Sequence, residues 1–207
     1  MSRNIKEALR KCYNSLKREG RTFNFRIVDR PEDTTDALGR FFNLHTARAR
    51  LSGTVKHPDV FDTPKAKLFL TSYARAMAER DCLRIFEIEI GGTVVATRIG
   101  FVFGEELYLY FTGYDPNWGK YSIMTTVVAE SIKWAIENRL KVVNLSTGND
   151  VSKTRWRPKE FIFRQGVQVS PKWWDRLAYA AYSEAHSMSH DTHRGLLLNN
   201  LRRNRAF

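Results

Sequence analysis

The chain has 207 residues, of which 43% are hydrophobic and 13% aromatic, and its formal net charge is +12 at pH 7. This composition excludes an intrinsically disordered chain and predicts a packed fold with a full core. The charge predicts an anionic partner, and a nucleotide cofactor, RNA, a membrane surface and an acidic polymer all remain open. No apolar run is long enough to span a membrane and the first residues lack a secretory signal pattern. We therefore expect a cytoplasmic protein, bound at most to a membrane surface.

The first third of the chain predicts a helix, a strand and two further helices. Residues 3–19 carry an apolar stripe on a basic helix, and residues 22–28 alternate like a strand. The sequence DRPED (29–33) has the proline and acidic residues that begin a helix. The apolar positions of that helix are Ala37, Leu38, Phe41, Phe42 and His45. After a loop, a helix over 65–79 has Leu68, Phe69, Tyr73 and Met77 at helical spacing.

The middle of the chain predicts a sheet. Residues 83–112 form three alternating runs separated by Gly-Gly and Gly-Glu turns, which is typical of an antiparallel meander. Residues 122–138 form the clearest helix of the chain, with Ser122 as its N-cap. The run KVVNLS (141–146) then predicts a strand, and the order strand, helix, strand favours a parallel, right-handed crossover.

The last part of the chain predicts a strand over 161–169, a helix that begins at Pro171, and a further helix over 194–203. Two tryptophans in the second of these elements, Trp173 and Trp174, suit either a membrane-surface anchor with Arg176 or a packed tail helix. We expect the packed helix.

Two groups of side chains invite a metal or redox hypothesis. Cys12 and Cys82 are isolated and lack a redox or zinc spacing, which predicts free thiols. His186, His190 and His193 have helical spacing, but no carboxylate or cysteine completes the three or four ligands that zinc requires. The sequence therefore predicts no metal site.

Three segments carry a resemblance to a known family: FFNLHTARAR (41–50), YFTGYDPNWGKYS (110–122) and NLSTGNDVSKTRW (144–156). Together with the order of elements, they resemble the C-terminal half of the Fem-type aminoacyltransferases and of the CelD-like acetyltransferases of bacterial envelope and exopolysaccharide pathways. That half is a GNAT domain. The resemblance extends over about residues 3–170.

The resemblance implies an α/β (α+β) GNAT fold, with a mixed, mostly antiparallel central sheet flanked by helices and a C-terminal helical tail. It divides the chain into a basic N-terminal helix (1–20), a GNAT-like domain (21–170) and a helical basic tail (171–207). Those relatives carry two tandem halves, and this chain contains the second, so a homodimer is one way to supply the other.

The resemblance also implies a donor site for acyl-CoA, such as acetyl-CoA, in a gap between the fourth and fifth strands. Its pyrophosphate would meet the start of the following helix, where free N–H groups and the helix dipole favour an anion. The residues implied are Thr112, Lys120, Tyr121, Ser122, Ile123 and Met124. The alternative is an ordinary capped helix that binds nothing.

Three residues are candidates for the chemistry. His45 is a candidate base, although a lone histidine on an apolar helix face is more often a satisfied core residue. Asp150 is a candidate for orienting or deprotonating an amine, and Lys153 for stabilising an oxyanion. The alternative is that Asp150 caps a short helix and Lys153 is solvated. The resemblance implies acceptor contacts for Arg48, Tyr114, Asp115, Gly148, Arg155 and Trp156.

These observations predict an N-acyltransferase that acts on a small-molecule or glycan amine in bacterial cell-envelope or exopolysaccharide synthesis, in the cytoplasm or peripheral to the inner membrane. Two alternatives remain open. One is a Fem-type transferase that uses aminoacyl-tRNA, which fits the charge of +12. The other is a non-catalytic module that binds RNA or protein.

Overall fold

The structure is a computed structural model, and it describes residues 2–51, 57–148, 150–162 and 166–184. The chain divides into two compact units, Met1–Lys159 and Glu160–Phe207. In the second unit, residues 173–184 form a helix where the sequence predicts one. None of the helices in the described ranges has the length and apolar character that a bilayer crossing requires.

The first unit is built on a five-stranded sheet in which the order along the chain is also the order in space. The strands are β1 (Phe23–Val28), β2 (Leu83–Ile90), β3 (Thr93–Phe103), β4 (Glu106–Tyr114) and β5 (Val142–Asn144). The first four pair antiparallel, and β5 returns parallel to β4. Gly91 and Gly92 have positive φ in the β2–β3 turn, as a two-residue hairpin turn requires. The predicted meander, parallel return and mixed sheet are confirmed.

Helices cover both faces of this sheet. They are α1 (Arg3–Arg18), α2 (Pro31–Ala49), α3 (Pro64–Ala78), α4 (Ile123–Glu137) and the short α5 (Val151–Thr154). On one face, Leu16 of α1 and Val127 of α4 belong to a core cluster with side chains of β2 and β4. On the other face, Phe41 of α2 and Leu70 of α3 belong to a second cluster. The unit therefore has three layers.

Helix α2 lies very close to β4 at Gly113. A Cβ atom at this position would be 2.6 Å from His45 N and 2.8 Å from Leu44 C. Both are backbone atoms, which cannot move aside as the end of a flexible side chain can. Glycine is therefore required here, and the contact holds the second half of α2 against the end of β4.

A buried ion pair also ties α2 to the sheet. Glu87 of β2 is 0% exposed, and its carboxylate accepts hydrogen bonds from Arg40 Nε at 2.8 Å and from Arg40 Nη2 at 3.1 Å. Arg26 Nη2 lies 3.9 Å from the same carboxylate. The planar guanidinium of Arg40 matches both carboxylate oxygens, which fixes the rotation of α2 as well as its distance from the sheet.

Of the four apolar residues noted at helical spacing on α3, the structure buries only Met77. The structure buries Leu70, Ala74, Met77 and Ala78. Leu68 and Phe69 are 68% and 69% exposed, and Tyr73 is 37% exposed. The two alanines allow α3 to lie close to its neighbours, so tertiary packing selected this face over the one with larger side chains.

The strand predicted over 161–169 is also wrong in its described part. Residues 161–162 and 166–169 have no regular secondary structure, and Phe161 and Ile162 are largely exposed. An alternating segment becomes a strand only where a sheet edge pairs with it and an apolar face buries it. Residues 163–165, the predicted helix over 194–203 and the three C-terminal histidines lie outside the described residues.

Candidate active site

A gap opens between β4 and β5 where their pairing stops. The strands pair from Glu106 with Val142 to Tyr108 with Asn144. Strand β5 ends there, whereas β4 continues to Tyr114. Beyond the last pair, β4 therefore has an edge with no neighbouring strand from the described part of the chain, and this edge can offer backbone groups to an extended ligand.

A cavity of about 310 Å³ occupies this gap. It is bounded by the end of α2 and the loop after it, by β3 and β4, by the start of α4 and by the segment after β5. Its lining residues are Arg48, Leu51, His57, Arg98, Thr112, Tyr114, Met124, Thr125, Val128, Leu145, Ser152, Lys153, Arg155 and Trp156. Seven belong to the set predicted from sequence, namely Arg48, Thr112, Tyr114, Met124, Lys153, Arg155 and Trp156.

Arg98 of β3 brings a guanidinium into the cavity from the sheet. It pairs across the strands with Thr112, and its Nη2 donates a long hydrogen bond of 3.4 Å to Leu109 O. Its Nε is shielded from solvent and has no acceptor among the described residues. Burial lowers the pKa of Arg98 to about 10, the charge of Arg48 acts in the same direction, and Asp150 opposes both. Arg98 therefore remains charged at pH 7.

Arg48 and His57 form a pair on the α2 side of the cavity. Arg48 Nη2 lies 2.7 Å from His57 Nε2. Because a guanidinium only donates, His57 Nε2 accepts this bond. Burial lowers the pKa of Arg48. Burial, and then the Arg48 charge, lower the pKa of His57, which is therefore a neutral imidazole at pH 7.

Asp150 and Lys153 are linked to each other in α5. Asp150 caps the helix by accepting from Ser152 N at 3.0 Å, and it pairs with Lys153 Nζ at 2.9 Å. Partial burial acts to raise the pKa of Asp150, but the hydrogen bonds from Ser152 and Lys153 outweigh it and leave the pKa below its usual value. Lys153 also donates to Thr147 O. Since an ammonium has three donors, one is left for a ligand.

The chain reaches α5 through two residues with positive φ. Ser146, at 72°, turns the chain away from the sheet, so β5 is shorter than the predicted 141–146. Gly148, at 96°, allows the turn to pass close to Lys153, whose Nζ would be 3.4 Å from a Cβ there. Beyond α5, Arg155 Nε is buried without an acceptor among the described residues. Trp156 packs against the core while it lines the cavity.

His45 lies outside the cavity lining. It is buried, and its Nδ1 is 2.9 Å from Thr112 O, so Nδ1 carries the hydrogen of this bond. Its Nε2 is 3.7 Å from Asp59 Oδ1, and its ring packs against Phe41 and Phe61. This geometry supports β4 beside the gap and matches the core alternative considered for this histidine.

The residues predicted to bind the donor separate into two groups. Thr112 and Met124 line the cavity, and the Thr112 hydroxyl is 3.6 Å from Met124 Sδ. Tyr121 is buried and donates to Glu19 at 2.7 Å, and Ile123 is fully buried in the core. The side chains of Tyr121 and Ile123 therefore serve the local fold and are not available to a ligand.

The start of α4 keeps free donors. Ser122 is the N-cap residue, as predicted, but its φ is 59° and its side chain makes no capping bond. A 3₁₀ helix, Pro116–Tyr121, runs directly into α4 and imposes this conformation. The N–H groups of Ile123 and Met124 have no acceptor within the described ranges. The N–H of Met124, a partly exposed residue, is available to an anion, whereas Ile123 is 0% exposed and its N–H is closed off.

Two further predicted residues lie near this start but outside the cavity lining. Lys120 is exposed, with its Nζ 4.8 Å from the centre of the Tyr121 ring. Asp115 caps the 3₁₀ helix by accepting from Asn117 N at 3.0 Å. Asp115 thus serves the local fold, and its carboxylate is not in the cavity.

A comparison with family models shows which protein family the chain belongs to. The family model described as "Acetyltransferase (GNAT) domain" matches residues 3–156, which run from the start of α1 to just beyond α5. The chain belongs to the GNAT acetyltransferase family. It is therefore an N-acetyltransferase, and the fold predicted from the resemblance is confirmed.

Solved structures share the fold of this GNAT acetyltransferase. A predicted acetyltransferase from Clostridium acetobutylicum, solved with acetyl-CoA, matches with a TM-score of 0.50 and 11% identity over 71% of this chain and 96% of that one. An aminoglycoside acetyltransferase from an uncultured soil metagenomic sample matches with a TM-score of 0.48 and 10% identity over 72% and 97%. At these identities the likeness concerns the fold alone. No curated protein sequence matches the chain.

Arg98 and His57 are two polar residues of the cavity lining that the sequence predictions missed. Arg98 had a signal, since it is a lone charge in the middle of the buried strand TVVATRIGFVF. His57 had none, because it stands in a loop whose position depends on tertiary packing. Within the described ranges, no group of three or more His, Cys, Asp or Glu residues is arranged to hold a metal ion.

Proposed function

We propose that this GNAT acetyltransferase transfers an acyl group, acetyl in the first instance, from acyl-CoA to an amine. The open edge of β4 beside the cavity carries the proposal, because an extended arm with two amide groups can pair with it as a strand would. The amine lone pair attacks the thioester carbonyl, and the carbon–sulfur bond breaks. The products are an amide and CoA thiol, the thiol taking the proton that the amine loses.

The donor's diphosphate is proposed to bind at the start of α4. The free N–H group of Met124 and the helix dipole favour an anion there. Lys120, which is exposed close by, adds a positive charge. From this point the arm of the donor can run past Thr112 and Met124, which line the cavity.

Lys153 is proposed to stabilise the oxyanion, because it has a donor left and lines the cavity. Asp150 is held at a low pKa by Ser152 and Lys153 and is a weak base. It suits orienting an ammonium group better than deprotonating one. His45, which bonds to Thr112 O, supports the strand that receives the donor.

The sequence resemblance to the Fem-type and CelD-like proteins supports an acceptor from bacterial cell-envelope or exopolysaccharide synthesis. The resemblance to the Fem-type proteins also leaves aminoacyl-tRNA open as an alternative donor, and the net charge of +12 is compatible with that donor. The two donors differ in their binding, so a single experiment distinguishes them.

Acetyl-CoA is expected to raise the melting temperature of the protein. A ligand at one hundred times its Kd stabilises the folded state by about 2.7 kcal/mol, which is several degrees. Lys120→Glu should reduce this shift because it places a negative charge beside the diphosphate. Lys65→Glu, at an exposed lysine of α3, is the matched control and should leave the shift unchanged. A shift with bulk tRNA and none with any acyl-CoA would assign the protein to the aminoacyl-tRNA class.

Lys153→Ala is expected to lower kcat/KM for acetyl transfer about a hundredfold, as removal of one oxyanion donor does elsewhere. Its pair with the exposed Asp150 contributes less than about 1 kcal/mol to stability. Turnover and melting temperature should be measured beside Lys65→Ala, which removes an exposed lysine of α3. Near-normal turnover in both variants would exclude the assigned role of Lys153.

A further inference from the structure

The cavity is strongly basic. Four cationic side chains line it: Arg48, Arg98, Lys153 and Arg155. None of the described residues in its lining is acidic. The nearby Asp150 is already paired with Lys153 at 2.9 Å. A cavity with this lining attracts an anion and repels a polycation.

Two of these cations also have one unpaired donor each. Arg98 Nε and Arg155 Nε are both shielded from solvent without an acceptor in the described part of the chain. A buried donor that is left unpaired is unfavourable, and a charged one more so. A guanidinium matches the planar pair of oxygens of a carboxylate, or two oxygens of a phosphate. Arg98 and Arg155 can therefore each bind an oxyanion of a ligand, since the described part of the protein provides no acceptor for their Nε atoms.

The donor is a poor source for that oxyanion. Its diphosphate is assigned to the start of α4, where the N–H group of Met124 is free. Its 3′-phosphate lies beyond the diphosphate, away from the thioester. The arm that leads from the diphosphate to the thioester contains amides and a hydroxyl but no anion. The oxyanion therefore fits the second substrate.

We propose that the acceptor is an amine that also carries a carboxylate or a phosphate, and that Arg98 and Arg155 bind this group. The inference rests on the proposed function, because it assigns the acceptor of the same reaction. The oxyanion fixes one end of the acceptor, and the amine at the other end approaches the thioester near Lys153. Amino acids and phosphorylated amino alcohols have this chemistry, whereas polyamines do not.

The test compares acceptors that differ only in the anion, with CoA thiol release as the readout. Suitable pairs are β-alanine with its methyl ester and phosphoethanolamine with ethanolamine, and spermidine serves as the polycation. Loss of one partner of a buried charge pair costs at least about thirtyfold in affinity. We expect kcat/KM for one anionic member to exceed that of its neutral counterpart by at least that factor. The pair that responds distinguishes carboxylate from phosphate.

Substitution of Arg98 and of Arg155 tests whether these two arginines cause the preference for anionic acceptors. Arg98→Gln and Arg155→Gln should each raise KM for the anionic acceptor and bring the ratio within a pair close to one. Acetyl-CoA binding, measured by calorimetry, should stay unchanged in both. Arg10→Gln, at an exposed arginine of α1, is the control and should keep the preference. Arg155→Gln provides the answer if Arg98→Gln fails to fold.

Three outcomes would overturn the inference. Equal rates within every pair would show that the anion is not recognised. Weaker acetyl-CoA binding in the arginine variants, with the acceptor preference retained, would assign the arginines to the donor's phosphates. Absence of acetyl-CoA binding and of thiol release with every amine would overturn the proposed function itself, and the inference with it.

Discussion

Gly113→Ala is expected to lower the free energy of unfolding by about 3 kcal/mol. The added Cβ would lie 2.6 Å from His45 N and 2.8 Å from Leu44 C, so α2 must move away from β4. Overpacking in a core typically costs about 1–3 kcal/mol. We expect a cost near the upper limit of this range, because the added Cβ would meet backbone atoms, which cannot move aside. Urea denaturation measures the loss directly. Because α2 also carries Arg48 to the cavity, turnover should fall as well.

Gly39→Ala is the matched control for this prediction. Gly39 lies on the same helix, is exposed, and has no atom within 4 Å of an added Cβ. Alanine is favoured over glycine within a helix by about 1 kcal/mol, so this variant should be more stable than the parent. Equal stability of the two alanine variants would contradict the close approach at Gly113.

Arg40→Met is expected to lower the free energy of unfolding by about 3 kcal/mol. It removes both hydrogen bonds from the Glu87 carboxylate, which is 0% exposed, and leaves Arg26 Nη2 at 3.9 Å as the nearest cation. Breaking a buried ion pair from one side is costly because the remaining charge stays buried. The measurement is again urea denaturation, with a circular-dichroism spectrum to verify the fold.

Two further variants test the cause of this loss. Arg75→Met removes an exposed pair with Glu79 at 3.4 Å within α3 and should cost less than about 0.5 kcal/mol. The double variant Arg40→Met/Glu87→Leu should recover most of the loss, since it removes the buried charge as well. A loss of the same size in Arg40→Met and Arg75→Met would mean that the buried pair contributes little.

The sheet could be predicted from the sequence because its signals are local. The Gly91–Gly92 turn lies between two alternating runs, and the helix that starts at Ile123 separates two strands, which favours a parallel return. Pro31 with acidic neighbours likewise marks the start of α2. Each of these signals lies within a few residues of the feature it predicts, so these features depend little on tertiary packing.

The site was harder to predict because packing decides it. The cavity combines Arg48 from α2, Arg98 from β3 and Arg155 from the segment after α5, residues far apart in sequence. His45 shows the same limit, since the sequence left both chemistry and a core position open and the contact of its Nδ1 with Thr112 O depends on tertiary packing. Phe69 of α3 is a second example, because it was noted as an apolar position of the helix and the structure leaves it exposed. A pattern shows which side chains share a face, but not which face the neighbours cover.

The short pairing of β5 makes one wall of the cavity less protected than the other. Within the described residues, β5 joins the sheet through Val142, Val143 and Asn144. By contrast, β3 pairs with β2 from Thr93 to Phe101 and with β4 from Ala96 to Phe103, with one register shift in each pairing. Local opening needs the least free energy where few hydrogen bonds must break together. Amide hydrogens of β5 should therefore exchange by local fluctuation, and those of β3 only when the whole unit unfolds. Under the proposed function, we expect the β5 side of the gap to move more readily than β3 or β4 when a donor binds.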